Sequence, residues 1–456
     1  MVQSAPLLHI GCASGFSGDR SDGAAPIVAE LIRRGGGVLI FETLAERTLA
    51  LAQLAMNDDP QRGYEPLLVD LLEPVLADCL AHGIPIVSNF GAANPSGAAR
   101  RISQLAQTLR VRTPRIAVVS GDALRGDDAM QALQRCTPDI DLSALDVVSA
   151  TAYIGAAEIA EALRAGADIV VCGRVADPSL TLGPALAHFD WALDDWPRLA
   201  RATMAGHMLE CGTQVTGGYY AIPGLKDVSG LDHTGFPIVT LDADGHIELT
   251  KAPGTGGRVD RAIAVEQLLY EVHDPGAYLT PDVVADISHA QVVQMEGDRI
   301  AVRNVHGHAR PATLKVNICY RGGWFAEAEI SYAGIAAHAR AQLAADIVRS
   351  RLGDALTLRV DFIGVQSILS DDEGAFQPDG HAHDPYAFGD VRLRVAATHP
   401  ERQVAERVLR EVTALYCCGP AGGGGVRTSI RQRLNMVSTL VPREQVTPSW
   451  RFWEES

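Results

Sequence analysis

The sequence predicts an α/β protein: an N-terminal parallel sheet with flanking helices over residues 1–222, then an α+β domain over residues 226–456 with a mixed or antiparallel sheet. Three observations carry this. Through the first half, short apolar runs alternate with helical stretches, the β-loop-α rhythm of a parallel sheet with helices outside it. After Pro223-Gly224 the runs alternate apolar and polar residues and turn at Asp-Gly or Glu-Gly-Asp, as half-buried antiparallel strands do. Third, Ile169, Val170 and Val171 are apolar on consecutive positions, as a strand buried on both faces should be.

Taken in order, His9-Ile10 leads through a loop at residues 11–20 to a helix at 22–34, which Gly35, Gly36 and Gly37 stop. Residues 38–42 form the next strand, 45–56 and 64–81 two helices, 85–90 a strand, 96–109 a helix and 116–120 a strand. A helix at 156–165, stopped by Gly166, precedes the strand at Ile169. Asp177-Pro178 opens the helix after it, with Asp as N-cap and Pro at the first helical position. A helix over 195–210 closes the first half. Beyond it, 236–249 and 290–303 read as hairpins, and 261–271, 337–352 and 400–416 as helices. Strands follow at 314–320, 325–332, 357–363 and 391–397, and 371–390 is the longest loop. An open or partly closed sheet is expected rather than a barrel.

A chain of 456 residues exceeds one ordinary core, and 47% hydrophobic residues are ample to build more than one. The net charge of −16 argues against nucleic acid and anionic membrane as partners, since both need a basic footprint. A small anionic ligand needs only a few local arginines. The eight cysteines show neither C-x-x-C nor zinc-like spacing and read as free thiols of a cytoplasmic protein. Residues 1–8 lack the basic flank and apolar run of a signal peptide, and no run approaches the ~20 apolar residues of a membrane span.

Open α/β sheets place their ligands beyond the carboxyl ends of the parallel strands. Cys172, Arg174 and Asp177 sit there as catalytic candidates, the alternative being a βα turn held by an Arg–Asp pair. Asp19 and Arg20 lie in a glycine-rich loop before a helix, where anions are attracted, although the loop is neither a dinucleotide fingerprint nor a Walker loop; they also fit a structural pair. Asn89, Asn94 and Asp122 follow strands and could orient a carbonyl or carboxylate, or cap helices. His207 lies one helical turn before Glu210 on the same face, a His–carboxylate unit suited to acid/base work or a structural histidine. Cys211, at the negative end of that helix, is a poor thiolate; Gln214 follows it as a substrate-binding candidate. Gly254, Thr255, Gly256, Gly257 and Arg258 form a second glycine-rich loop before a helix, expected to meet phosphate or carboxylate. In a third, residues 419–425, the glycines imply a close backbone approach or a lid. Asp232, His233, His306, His308, His381 and His383 match no standard ligand spacing, and no metal is expected.

Several segments together resemble the acyclic terpene utilisation (AtuA-like) family: Ser14-Gly-Phe-Ser-Gly-Asp-Arg20, Asn89-Phe-Gly-Ala-Ala-Asn-Pro95, Gly173-Arg-Val-Ala-Asp-Pro178, Glu210-Cys-Gly-Thr-Gln214, Thr216-Gly-Gly-Tyr219, Ala252-Pro-Gly-Thr-Gly-Gly-Arg258 and Gly419-Pro-Ala-Gly-Gly-Gly-Gly425. They keep their order over nearly the whole chain. The resemblance implies a place in the breakdown of citronellol- and geraniol-type acids as coenzyme A thioesters, and supplies neither a reaction nor catalytic residues. The expectation is therefore a homo-oligomeric enzyme acting on a carboxylate or its coenzyme A thioester by hydration, dehydration or C–C cleavage. The alternative is a non-catalytic subunit that binds and organises an acyl-CoA enzyme.

Overall fold

A computed structural model of the chain describes residues 7–365 and 388–454. The fold is α/β, with parallel strands in its N-terminal part and antiparallel sheets in its C-terminal part. The chain divides into two compact units, Met1–Cys319 with Met436–Ser456, and Tyr320–Asn435.

The first unit is built on a ten-stranded sheet whose strand path has two free ends, so it is open. Its parallel part runs Leu8–Cys12, Val38–Phe41, Ile86–Ser88, Ile169–Cys172, Ile116–Ser120 in spatial order. Each strand is an apolar run because both faces are covered. Ile10, Ile40, Val87 and Val170 belong to one buried cluster, while Leu39, Phe41, Ile86, Ile169 and Val171 belong to another. At about 1.5–3 kcal/mol for each fully buried side chain, this two-sided burial holds the strand register.

Antiparallel strands complete both edges. Pro237–Leu241 pairs with Leu8–Cys12, and Ile247–Lys251, Ile300–Arg303 and Gln291–Gln294 follow outward. Strands on both sides of Pro223-Gly224 therefore share one sheet. At the opposite edge, Ser449–Phe452 pairs with Ile116–Ser120. A three-stranded sheet of Tyr278–Leu279, Val284–Asp286 and His306–His308 also belongs to this unit.

Two helical expectations are corrected. The single helix over 64–81 is two, Leu68–Leu72 and Leu76–His82: Pro74 has no N–H to continue the ladder, and Val75 (φ −128°, ψ −14°) steps out of helical geometry between them. The helix after the Ile169 strand begins at Ser179, and Asp177 makes no side-chain cap there because its carboxylate turns to Arg174. The strand Asp146–Ala152 and the helix Asp127–Cys136 are additions to the sequence reading.

The second unit packs the helices Ala337–Leu352 and Arg402–Cys418 on an antiparallel sheet that includes Leu358–Ile363 and Phe388–His399. Ala341, Ala344 and Val348 bury against Ile330, Leu393 and Val395 in its core. In the third glycine-rich loop, a Cβ on Gly423 would stand 2.9 Å from Ile330 Cδ1 and 3.1 Å from the Tyr332 ring, so core side chains press on that glycine. Among the described residues, no helix is long and apolar enough to cross a membrane.

Candidate functional site

Within the first unit, a cavity of about 780 Å³ opens beyond the carboxyl ends of the parallel strands. Each strand feeds it or supports it through the loop that follows. The loop after Leu8–Cys12 contributes Gly15, Phe16 and Asp19, the turn after Val38–Phe41 contributes Glu42, Leu44 and Glu46, and the turn after Ile169–Cys172 contributes Arg174 and Asp177. The helix Trp196–Glu210 ends on the cavity with Glu210 and Cys211, followed by Gln214. Tyr153, Tyr270, Glu271, Tyr278, Leu279, Pro281, Leu314, Lys315 and Leu440 build the remaining walls. The loop and the helix end fit closely. A Cβ on Gly15 would stand 2.5 Å from the backbone carbon of Cys211, so only glycine lets the two walls meet.

Arg174 is the buried hub of this end of the sheet, 1% exposed. Its Nε donates to the Val175 carbonyl at 2.8 Å and its Nη1 to the Leu44 carbonyl at 2.9 Å. Its Nη2 pairs closely with Asp177 Oδ1 and stands 3.9 Å from Glu42 Oε1. The guanidinium lies 4.5 Å from the centre of the Tyr153 ring. The backbone N–H of Arg174 donates to Asp122 Oδ2 at 2.8 Å, which makes Asp122 a support behind the site. Asn89 has the same kind of role. Its Oδ1 accepts from Thr43 N at 2.8 Å and its Nδ2 donates to Glu42 Oε1 at 2.7 Å, fixing the turn that presents Glu42.

Glu42 follows four fully buried strand residues and is itself buried. Burial pushes its pKa up to about 8 against the opposing pull of Arg174 and the Asn89 amide. Burial likewise raises Asp19, whose carboxylate accepts from the N–H groups of Gly15 and Arg20 at 2.8 Å each. Glu46 goes the other way. Burial would raise it, but the Tyr153 hydroxyl, donating at 2.6 Å, and Lys315 at 3.3 Å outweigh that and hold it down to about 2.

His207 and Glu210 form the expected pair, Nδ1 to Oε1 at 2.9 Å. The imidazole is buried, against Tyr278, and Glu210 alone of the two lines the cavity. Burial, the largest single influence, works to lower the His207 pKa, but the charge and hydrogen bond of Glu210 together with the backbone at Gln267 and Leu268 outweigh it, so the net direction is up. Burial raises Glu210, with His207 opposing. Glu210 Oε2 has no hydrogen-bond partner among the described residues.

The structure therefore brings Asp19, Arg174, Asp177, Glu210 and Gln214 to one cavity and places other candidates elsewhere. Arg20 pairs with Asp22 at 2.9 Å on the surface and does not line it. Asn94 caps the helix Pro95–Thr108, accepting from Gly97 N at 2.9 Å and donating to the carbonyls of Pro60 and Arg62. Cys172 is fully buried off the cavity wall, and burial, with Asp122 and Glu158 nearby, holds its thiol protonated, which removes its nucleophilic character. Cys211 does line the cavity, and burial together with Glu210 pushes its thiol up to about 12.

The loop with Gly254, Thr255, Gly256, Gly257 and Arg258 lies off the cavity wall and is occupied with its own fold. A Cβ on Gly256 would stand 1.9 Å from the Gly230 carbonyl oxygen. Gly257 N donates to Ser229 O, Arg258 N to Thr216 O and the Thr255 hydroxyl to Ala252 O, while Arg258 Nε pairs with Asp260 at 2.8 Å. Among the described residues, no group of three or more His, Cys, Asp or Glu is placed to hold a metal ion. His381 and His383 lie outside the described residues.

Glu42, Glu46, Tyr153, Glu271 and Lys315 are the site residues that sequence reasoning passed over. Glu42 carried a signal, an acid directly after a fully apolar strand at the ligand end of the sheet. Tyr270 to Lys315 carried none, because no periodic pattern points those side chains at a strand end far back in the chain.

No curated protein and no solved structure matches this chain. The model of the acyclic terpene utilisation family protein AtuA matches residues 8–452. That span covers both compact units and every residue of the cavity, and the chain belongs to the acyclic terpene utilisation family.

Proposed function

We propose that the protein is an enzyme of branched, acyclic terpenoid acid catabolism that moves a proton on an acid derivative such as a coenzyme A thioester, in a hydration, dehydration or C–C cleavage. The observation that carries this reading is Glu210, which lines the cavity: one carboxylate oxygen is fixed by His207, and the other is buried without a hydrogen-bond partner among the described residues. A base needs that combination of orientation and a free lone pair. His207 acts as the positioning residue, since it does not itself line the cavity. The walls suit a branched hydrocarbon. Phe16, Leu44, Leu279, Pro281, Leu314 and Leu440 are apolar, and the volume falls in the ~300–1,000 Å³ range of small-molecule sites.

The test is turnover of geranyl-CoA-type and short branched acyl-CoA substrates by the wild type and Glu210→Gln. The variant is expected to lose about 10²–10⁴-fold in kcat while keeping its melting temperature. Equal rates would remove Glu210 as the base. A second reading, a binding subunit of an acyl-CoA enzyme, draws on the exposed apolar side chains Tyr219, Ile222, Leu225 and Leu231. It predicts ligand binding in the cavity with no turnover by the protein alone.

A further inference from the structure

The cavity wall carries six carboxyl side chains, Asp19, Glu42, Glu46, Asp177, Glu210 and Glu271, against two cations, Arg174 and Lys315. Both cations already have partners. Arg174 directs Nε and Nη1 to backbone carbonyls and Nη2 to Asp177 and Glu42, and lies 1% exposed. Lys315 pairs with Glu46 at 3.3 Å and stands 4.8 Å over the Tyr153 ring. A substrate carboxylate entering this space would find no unengaged cation on the wall and several like charges. In a partly desolvated cavity that repulsion is stronger than in water.

We propose that the cavity admits an uncharged head group, an ester, thioester or alcohol of a branched acyclic chain, and excludes the free acid. The carboxyl wall is thus a specificity filter that acts only on the acid already joined to a carrier or not yet oxidised. This rests on the reading of the cavity as the substrate site. It also reassigns Arg174, which the sequence offered as a catalytic candidate: its donors hold the turn at Leu44 and Val175 together and balance Asp177. Carboxyl groups outnumber cations on the wall, so a bound carboxylate would add to that excess or take up a proton itself.

The experiment is calorimetric titration of the full chain with citronellic acid, methyl citronellate and citronellol at about pH 7 and about pH 5. The ester and alcohol are expected to bind at least about tenfold tighter than the acid at the higher pH, the discrimination that like-charge repulsion supports. The gap should narrow at the lower pH, where the acid approaches its own pKa. Changing Asp19→Asn and Glu271→Gln together should narrow it at the higher pH. Acid binding as tight as the ester, or a gap unchanged in the double variant, overturns the filter while leaving the cavity a binding site. Binding of none of the three overturns the cavity reading itself.

Discussion

Arg174 and Arg258 each close a glycine-containing turn ahead of a helix, and they do opposite things. Arg174 is sunk at the end of a central parallel strand, with every nitrogen directed to a carbonyl or carboxylate and a cavity alongside. The Arg258 side chain is 43% exposed, pairs with its neighbour Asp260, and belongs to a loop in which Gly256 presses on Gly230 and Gly257 on Thr216. The difference lies in what surrounds the turn. At Arg174 neighbouring strand ends converge and exclude water, which makes each charge consequential. At Arg258 the backbone packs on itself, and the charge stays in solvent where pairing contributes little.

Breaking the hub should have the largest effect. Arg174→Met is expected to destabilise the protein by about 3–5 kcal/mol, because it removes the donors to the Leu44 and Val175 carbonyls and leaves the half-buried Asp177 without its counter-charge. Chemical denaturation would measure this. The double variant Arg174→Met with Asp177→Asn should recover part of the loss, and no recovery would break the pairing account.

The next effect is one of pH. Glu42 has its pKa raised from 4.5 to about 8 on folding, so the folded state holds its proton more tightly than the unfolded chain. Its contribution to stability is full below about pH 4.5 and is lost as the pH rises through about 8. Relative to Glu42→Gln, the wild type should therefore lose stability across that window, as read by melting curves at stepped pH. Parallel curves for the two proteins would show that Glu42 ionises normally.

Asn94→Ala should cost about 1 kcal/mol through the lost cap and leave turnover unchanged, which separates a capping asparagine from a substrate-binding one. Smallest of all, Arg258→Ala should change stability by no more than about 1 kcal/mol and turnover not at all. A tenfold rise in KM for an acyl-CoA would place the second glycine-rich loop in the substrate path after all.

The sequence by itself determined most of the N-terminal elements and their order, though not the helix Asp127–Cys136, the strand Asp146–Ala152 or the edge strand Ser449–Phe452. Period and punctuation are local properties, so the apolar triplet at Ile169, the stop at Gly166 and the one-turn spacing of His207 and Glu210 could all be read within a few residues. It also placed Arg174 and Asp177 at the ligand end of the sheet. What only the tertiary structure decided is which polar groups remain free. Arg174 loses its donors to carbonyls that include Leu44, 130 residues away, Asn89 is turned toward Glu42 by a segment 47 residues earlier, and Cys172 is sealed by packing. Whether a buried charge serves a ligand or another side chain depends on contacts closed over such distances, and no window of sequence contains both partners.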